Sequence, residues 1–227
     1  MALILNIETS SSGCSIALHN KGELMAFTEL NQPQSAASRL AVMINDILNL
    51  NGLKAKSLDA VAVSKGPGSY TGLRIGVSTA KGMCLAVKIP LISVDTLPLM
   101  ARQVAPLYSG DFLFCPMLDA RRMEVYTMLL NSKFDILEKV NAKVLDENSY
   151  DEWLTKNRIL FFGDGSTKYI DVLKNERAVF IPDVKPSAAK MGEVSFLKFA
   201  NNEFEDLRTF EPFYLKDFVV KKPKQIV

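Results

Sequence analysis

The 227-residue sequence holds one histidine, His19, and that scarcity removes several chemistries at once. No HExxH pattern or histidine pair is present to hold zinc, and a Ser-His-Asp hydrolase would have to use His19 as its base with no cue to a nucleophile. The carboxylates left as acid/base candidates are Glu8, Asp95, Asp119 and Asp164. Cysteine is also scarce. Cys14, Cys84 and Cys115 are odd in number and far apart, so neither a disulfide framework nor a CxxC metal or redox motif is available, and a reducing, cytoplasmic setting is expected. No uncharged apolar run reaches the ~18 residues of a membrane span, and no basic start precedes a secretory apolar segment. No membrane partner is expected. Neither sign of charge dominates, with a net +2 over 27 basic and 25 acidic residues, so contact with RNA would need a local patch. The stretch Lys216 to Lys224, with four lysines and one acid, reads as a solvated end.

What is present is a globular composition, 48% hydrophobic and 23% charged, sufficient for one or two domains with a full core. The chain is organised around Gly66-Pro67-Gly68-Ser69-Tyr70-Thr71-Gly72-Leu73-Arg74-Ile75-Gly76, between an apolar strand over Leu58 to Ser64 and an apolar helix running to Pro90. Thr71 is the expected N-cap. Gly66, Gly68 and Gly72 let a backbone turn sharply and offer N–H groups to an anion. A turn that merely lets strand and helix pack is the alternative. The spacing is neither a Walker A loop, because Leu73-Arg74 follows Gly72, nor the Rossmann pattern, because it is one residue too long. Within the helix, Gly72, Gly76 and Ala80 recur every fourth residue, a small-residue ridge to which another helix can come close.

Taken in order, Leu3 to Glu8, Cys14 to Leu18 and Glu23 to Leu30 read as a three-stranded antiparallel meander with a hydroxyl-rich first tip, Thr9-Ser10-Ser11-Ser12. Gln34 to Asn51 reads as a helix with Leu40, Met43, Ile44, Ile47 and Leu48 on one face, ended by Gly52. A strand over Pro90 to Val94 and a helix over Thr96 to Ala105 follow. This order is that of a ribonuclease-H-like α/β layer, a mixed sheet covered by helices. A boundary near residue 108 divides an N-terminal domain, 1–107, from a smaller C-terminal one, 108–227. There the pattern restarts with strands Phe112 to Leu118, Met123 to Leu130 and Ile136 to Val144. A helix over Ser149 to Lys156, strand Arg158 to Phe162, helix Ser166 to Leu173, strand Ala178 to Pro182 and helix Ser187 to Phe204 complete it. The element order suggests a duplicated fold.

With these stretches laid out, the chain resembles the TsaB (YeaZ) family, the small subunit of the bacterial machinery that makes threonylcarbamoyladenosine in tRNA. The glycine stretch matches the family signature, with Tyr70 where Phe is common. Ile7-Glu8-Thr9-Ser10 resembles its opening Ile-Asp-Thr-Ser, Asp119-Ala120-Arg121-Arg122-Met123-Glu124-Val125-Tyr126 its second motif, and Pro212-Phe213-Tyr214-Leu215-Lys216 its closing one. Glu8 in place of Asp, and Gln34-Ser35 in place of His-Ser, are departures.

The resemblance implies two ribonuclease-H-like domains of the actin and sugar-kinase superfamily, and a non-catalytic scaffold that binds and activates a TsaD-type transferase. A TsaE-type ATPase acts alongside, ATP is used by the assembled complex, no cofactor or metal is held tightly by this chain, and tRNA is met indirectly through the complex. The implied partner surface includes Leu40, Ile44, Arg74, Gly76, Val77, Ala80 and Cys84, and a homodimer through the same helices is an option. Glu8, Thr9, Gly66, Gly68, Thr71, Gly72, Asp119 and Arg121 would form a degenerate nucleotide site. The alternative is a free-standing ATPase or kinase-like enzyme using Glu8 and Asp119 around magnesium. A peptidase role, attached by name to the wider family, conflicts with the single histidine.

Overall fold

The computed structural model describes residues 2–32 and 35–216. Strands β1 (Leu3–Glu8), β2 (Cys14–Asn20) and β3 (Glu23–Leu30) form the expected antiparallel meander. Helix α1 (Ser35–Leu50) leads to β4 (Ala60–Gly66), parallel to β1, and helix α2 (Tyr70–Val87) to β5 (Leu91–Asp95), parallel to β4. The sheet order is β3-β2-β1-β4-β5. Central strands β1 and β4 carry almost unbroken apolar runs because both faces of this sheet are covered. Side chains alternate across the strand, so Leu3, Leu5 and Ile7 meet α1 and α2, while Ile4 points to the opposite layer.

The second sheet repeats the plan. Strands β6 (Phe112–Asp119), β7 (Glu124–Leu130) and β8 (Ile136–Val144) are antiparallel, and β9 (Arg158–Phe162) and β10 (Ala178–Ile181) add in parallel, giving β10-β9-β6-β7-β8. Read from the meander edge, both sheets have one topology, which is the mixed α/β, actin-like duplication expected from the sequence. The crossovers of the second half are much reduced. The segment expected as a helix over Ser149 to Lys156 contains only α4 (Asp151–Leu154), and Ser166 to Leu173 contains a tight 3-10 turn, Asp164–Lys168, in place of a helix.

Two helices exchange sheets. Helix α3 (Thr96–Val104), from the first half, buries Leu97, Met100 and Val104 against Phe112, Phe114 and Phe162 of the second sheet. The expected helix Ser187 to Phe204 is a 3-10 turn at Ala188–Lys190 followed by α5 (Gly192–Ala200). This segment returns to the first sheet, where Ala188, Met191 and Phe199 pack on Ile4, Ala62 and Ile92. Residue 108 separates the two sheets, yet chain from Ala188 onward lies on the first. Beyond α5, Glu205 bridges Leu91, and residues 206–216 cross back over α2 and the glycine turn.

Candidate functional site

The glycine turn after β4 is filled by the protein's own chain. Tyr70 opens α2, and its cap is Ser69, whose hydroxyl accepts from the Gly72 N–H at 3.2 Å; Thr71, expected as the cap, is one residue inside the helix and exposed. The Ser69 N–H donates to the Ser10 carbonyl at 2.6 Å, which draws the helix start onto the tip between β1 and β2. A Cβ on Gly68 would lie 2.2 Å from the Ser10 carbonyl oxygen, one on Gly72 2.1 Å from that of Thr9, and one on Gly76 2.2 Å from Thr9 Oγ1. Gly72 and Gly76 of the small-residue ridge therefore meet Thr9, just past the end of β1. Gly66, at φ +113°, has the Phe213 carbonyl 2.8 Å from where a side chain would begin, and the Phe213 N–H donates to the Lys65 carbonyl at 2.7 Å. Left-handed backbone and a crossing main chain together demand glycine there.

Glu8, at the end of β1, is buried among these groups. Its Oε1 accepts from the Ser10 N–H at 2.5 Å, while Oε2, Thr9 Oγ1 and Ser10 Oγ have no hydrogen-bond partner. Burial raises the Glu8 pKa despite the bonds from Ser10. A carboxyl held toward its neutral form, enclosed by its own hairpin, is poorly suited to hold magnesium.

The second element is the turn between β6 and β7. Asp119 Oδ1 accepts from the Arg121 N–H and from the Lys168 ammonium, both at 2.5 Å, and the Asp119 N–H donates to Asp164 Oδ1 at 2.9 Å. Lys168 Nζ also donates to the carbonyls of Arg122 at 2.5 Å and Glu124 at 3.4 Å. One ammonium thus satisfies a carboxylate and two carbonyls, the oxygen set a hard cation would take. Burial raises the Asp164 pKa. Glu8 and Asp119 are each engaged within their own half, and among the described residues no group of three or more His, Cys, Asp or Glu is placed to hold a metal.

The expected partner residues need correction. Leu40, Ile44, Gly76, Val77, Ala80 and Cys84 are all buried in the first domain's own core, Ala80 and Cys84 at 0% exposure, because the periodic apolar face of each helix turns toward the sheet. Of the seven, Arg74 alone is exposed; its guanidinium lies 5.4 Å from the Tyr70 ring centroid and donates to the Tyr70 hydroxyl at 3.2 Å. What the two helices present outward is a different set, with Val42 50% exposed, Leu85 62% and Leu50 86%. Sequence reasoning also missed Lys168, four residues past Asp164, and the place of the Pro212–Lys216 segment, which crosses α2 with the Tyr214 ring tilted by 36° and its centroid 4.7 Å from that of Tyr70. Between that segment and α2 lies a groove of about 310 Å³ bordered by Arg74, Ser78, Lys81 and Pro212. No helix among the described residues is long and apolar enough to cross a membrane.

The family model for tRNA N6-adenosine threonylcarbamoyltransferase matches residues 32–223. The chain is similar to the tRNA threonylcarbamoyladenosine biosynthesis protein TsaB of Escherichia coli, 32% identical over 96% of both chains. It is equally similar to that of Bacillus subtilis, 32% identical over 94% of this chain and 93% of the relative. In fold it resembles YeaZ of Pseudomonas aeruginosa, with a TM-score of 0.80 at 23% identity over 95% of this chain and all of the other.

Proposed function

The chain belongs to the TsaB family of tRNA threonylcarbamoyladenosine biosynthesis proteins, and on that premise we propose that it is a non-catalytic scaffold that binds and activates a TsaD-type threonylcarbamoyl transferase. The observation that carries this reading is the self-filling of the site an active relative would keep open. Lys168 takes the Asp119 carboxylate, Thr9 and Ser10 occupy the glycine turn, and Glu8 is enclosed. A chain that spends its own atoms on these positions leaves little for Mg–ATP to coordinate. The reading also places ATP use in the assembled complex, with a TsaE-type ATPase, in the cytoplasm, and modification on tRNAs that read codons beginning with adenine.

Partner binding rests on the outer faces of α1 and α2. Val42 and Leu50 on α1 and Leu85 on α2 are exposed aliphatics on these helices, and burying each such side chain is worth roughly 1.5–3 kcal/mol. Light scattering on a sizing column, with the protein alone and then mixed with the transferase of the same organism, tests the reading. A one-to-one complex that Leu85→Glu prevents, in a variant that melts with wild type, is expected. Separate peaks at micromolar concentrations, together with magnesium-dependent ATP turnover by this chain alone, would instead favour a free-standing enzyme.

A further inference from the structure

Arg121 and Arg122 are, among the described residues, the one pair of adjacent basic residues that both hold left-handed backbone. Both are exposed, both have left-handed backbone, φ +74° and +52°, and neither guanidinium makes an ion pair among the described residues. Non-glycine residues hold such angles only where their surroundings impose them. Here the imposition is visible. Asp119 Oδ1 accepts from the Arg121 N–H, the Lys168 ammonium donates to the Arg122 carbonyl, and the backbone pairs Ala120 with Glu124 at 3.1 Å and Glu124 with Arg121 at 3.2 Å.

The same bonds use up the acids of the turn. Asp119 is matched by Lys168 and Glu124 by Lys216, while Asp164 accepts from the Asp119 N–H, and neither guanidinium is ion-paired with any of the three. An acid on either side chain's own turn would neutralise it; the sequence puts both acids under other cations. The result is a positively charged turn on the second domain, held by its own hydrogen bonds; Lys221, Lys222 and Lys224, expected as part of a solvated end, lie outside the described residues.

We infer that this turn is a direct contact for the phosphodiester backbone of the RNA substrate, made by Arg121 and Arg122 and positioned by Lys168. Guanidinium groups bind phosphate oxygens in paired hydrogen bonds, and backbone contacts require charge and fixed position without base reading. The inference rests on the tRNA-modification reading for its ligand, and on the unanswered arginines for its place.

The test is the double variant Arg121→Gly/Arg122→Gly, compared with wild type, each alone and mixed with the transferase. Glycine adopts these angles freely, so the variant is expected to melt no lower than wild type while binding a tRNA transcript about tenfold or more weakly. The slope of log affinity against log salt should fall by about 1.4 to 1.8, the loss of two phosphate contacts. Equal affinity and equal slope for the two proteins would overturn the inference, as would a wild type that binds no tRNA in either form. So would a variant that loses the transferase but keeps tRNA, since an acidic protein surface would then be the ligand. The mass of the mixed complex, read on the same samples, tells failure of the scaffold reading from failure of this one.

Discussion

Helix α2 carries Gly72, Gly76 and Gly82, and replacing the first and the last of them by alanine should move stability in opposite directions. By helix propensity alone, Gly→Ala in a helix interior gains about 1 kcal/mol. At Gly82, where an added Cβ meets nothing within 4 Å, that gain should appear in full. At Gly72 the methyl would sit 2.1 Å from the Thr9 carbonyl oxygen, against a closest comfortable C···O approach of about 3.3 Å. The helix start would have to lift by roughly 1 Å, breaking the Ser69 to Ser10 backbone bond and opening the packing of Leu73. The obstacle is main chain, which cannot swing aside as a side-chain tip can. Overpacking of this kind costs about 3 kcal/mol at its upper range, leaving Gly72→Ala about 2 kcal/mol less stable after the propensity gain. For a protein of this size each kcal/mol shifts Tm by roughly 2–4 °C, so thermal unfolding should put Gly82→Ala a few degrees above wild type and Gly72→Ala about 4–8 °C below it. A Gly72→Ala protein that melts at or above wild type would refute the account of the glycine turn as a contact between helix and hairpin.

Glu8→Gln keeps an acceptor for the Ser10 N–H but removes a carboxyl whose folded pKa is raised by burial; a raised acid contributes stability below the unfolded value of 4.5 and loses it as pH climbs, so the variant should gain on wild type in chemical denaturation at neutral pH. His19 has the opposite consequence. Burial lowers its pKa, and the ring lies between Asn6, at 2.9 Å from Nδ1, and the Ala189 carbonyl, at 3.3 Å from Nε2. The neutral ring's contribution is therefore complete above pH 6.5 and declines as pH falls below it, a slope that His19→Gln should flatten in a pH series of melts. Burial pushes the Cys84 and Cys115 thiols up to about 11, so neither should react with a thiol reagent at pH 8 until the protein is unfolded; prompt labelling of either in the native protein would contradict the core assignment.

The strand plan was legible because buried strands write themselves as apolar runs, and the two meanders, at Leu3–Leu30 and Phe112–Val144, each carry that mark. The reduced crossovers were not. Tyr169 and Leu173 are buried at helical spacing, yet Gly163 at φ +105° and the Asp164–Lys168 turn use them as plugs beneath β9 and not as a helical face. Nor does periodicity say which sheet a helix covers, so the exchange of α3 and α5 between the halves left no trace in either sequence.

The candidate site shows the same limit more sharply. The glycines of 66–76 do signal a close approach, but what approaches is chosen by the tertiary fold, and here it is Thr9, Ser10 and Phe213 of the same chain. The error over the partner helices has one cause. The resemblance puts the partner on these helices, and Leu40, Ile44, Gly76, Val77, Ala80 and Cys84 offer the small residues and aliphatics that a close helix contact uses, but the same residues are what each helix needs to bury itself on its own sheet. The proposed partner would be left the opposite face, where apolar residues need only be common enough to bind and sparse enough for the free chain to stay dissolved. Val42, Leu50 and Leu85 meet that condition, interrupted by polar neighbours such as Asn45, Asn49 and Ser78. For a helix pair on a sheet, strength of amphipathic signal thus points to the domain's own core, and the binding surface is to be sought among the hydrophobics that break the pattern.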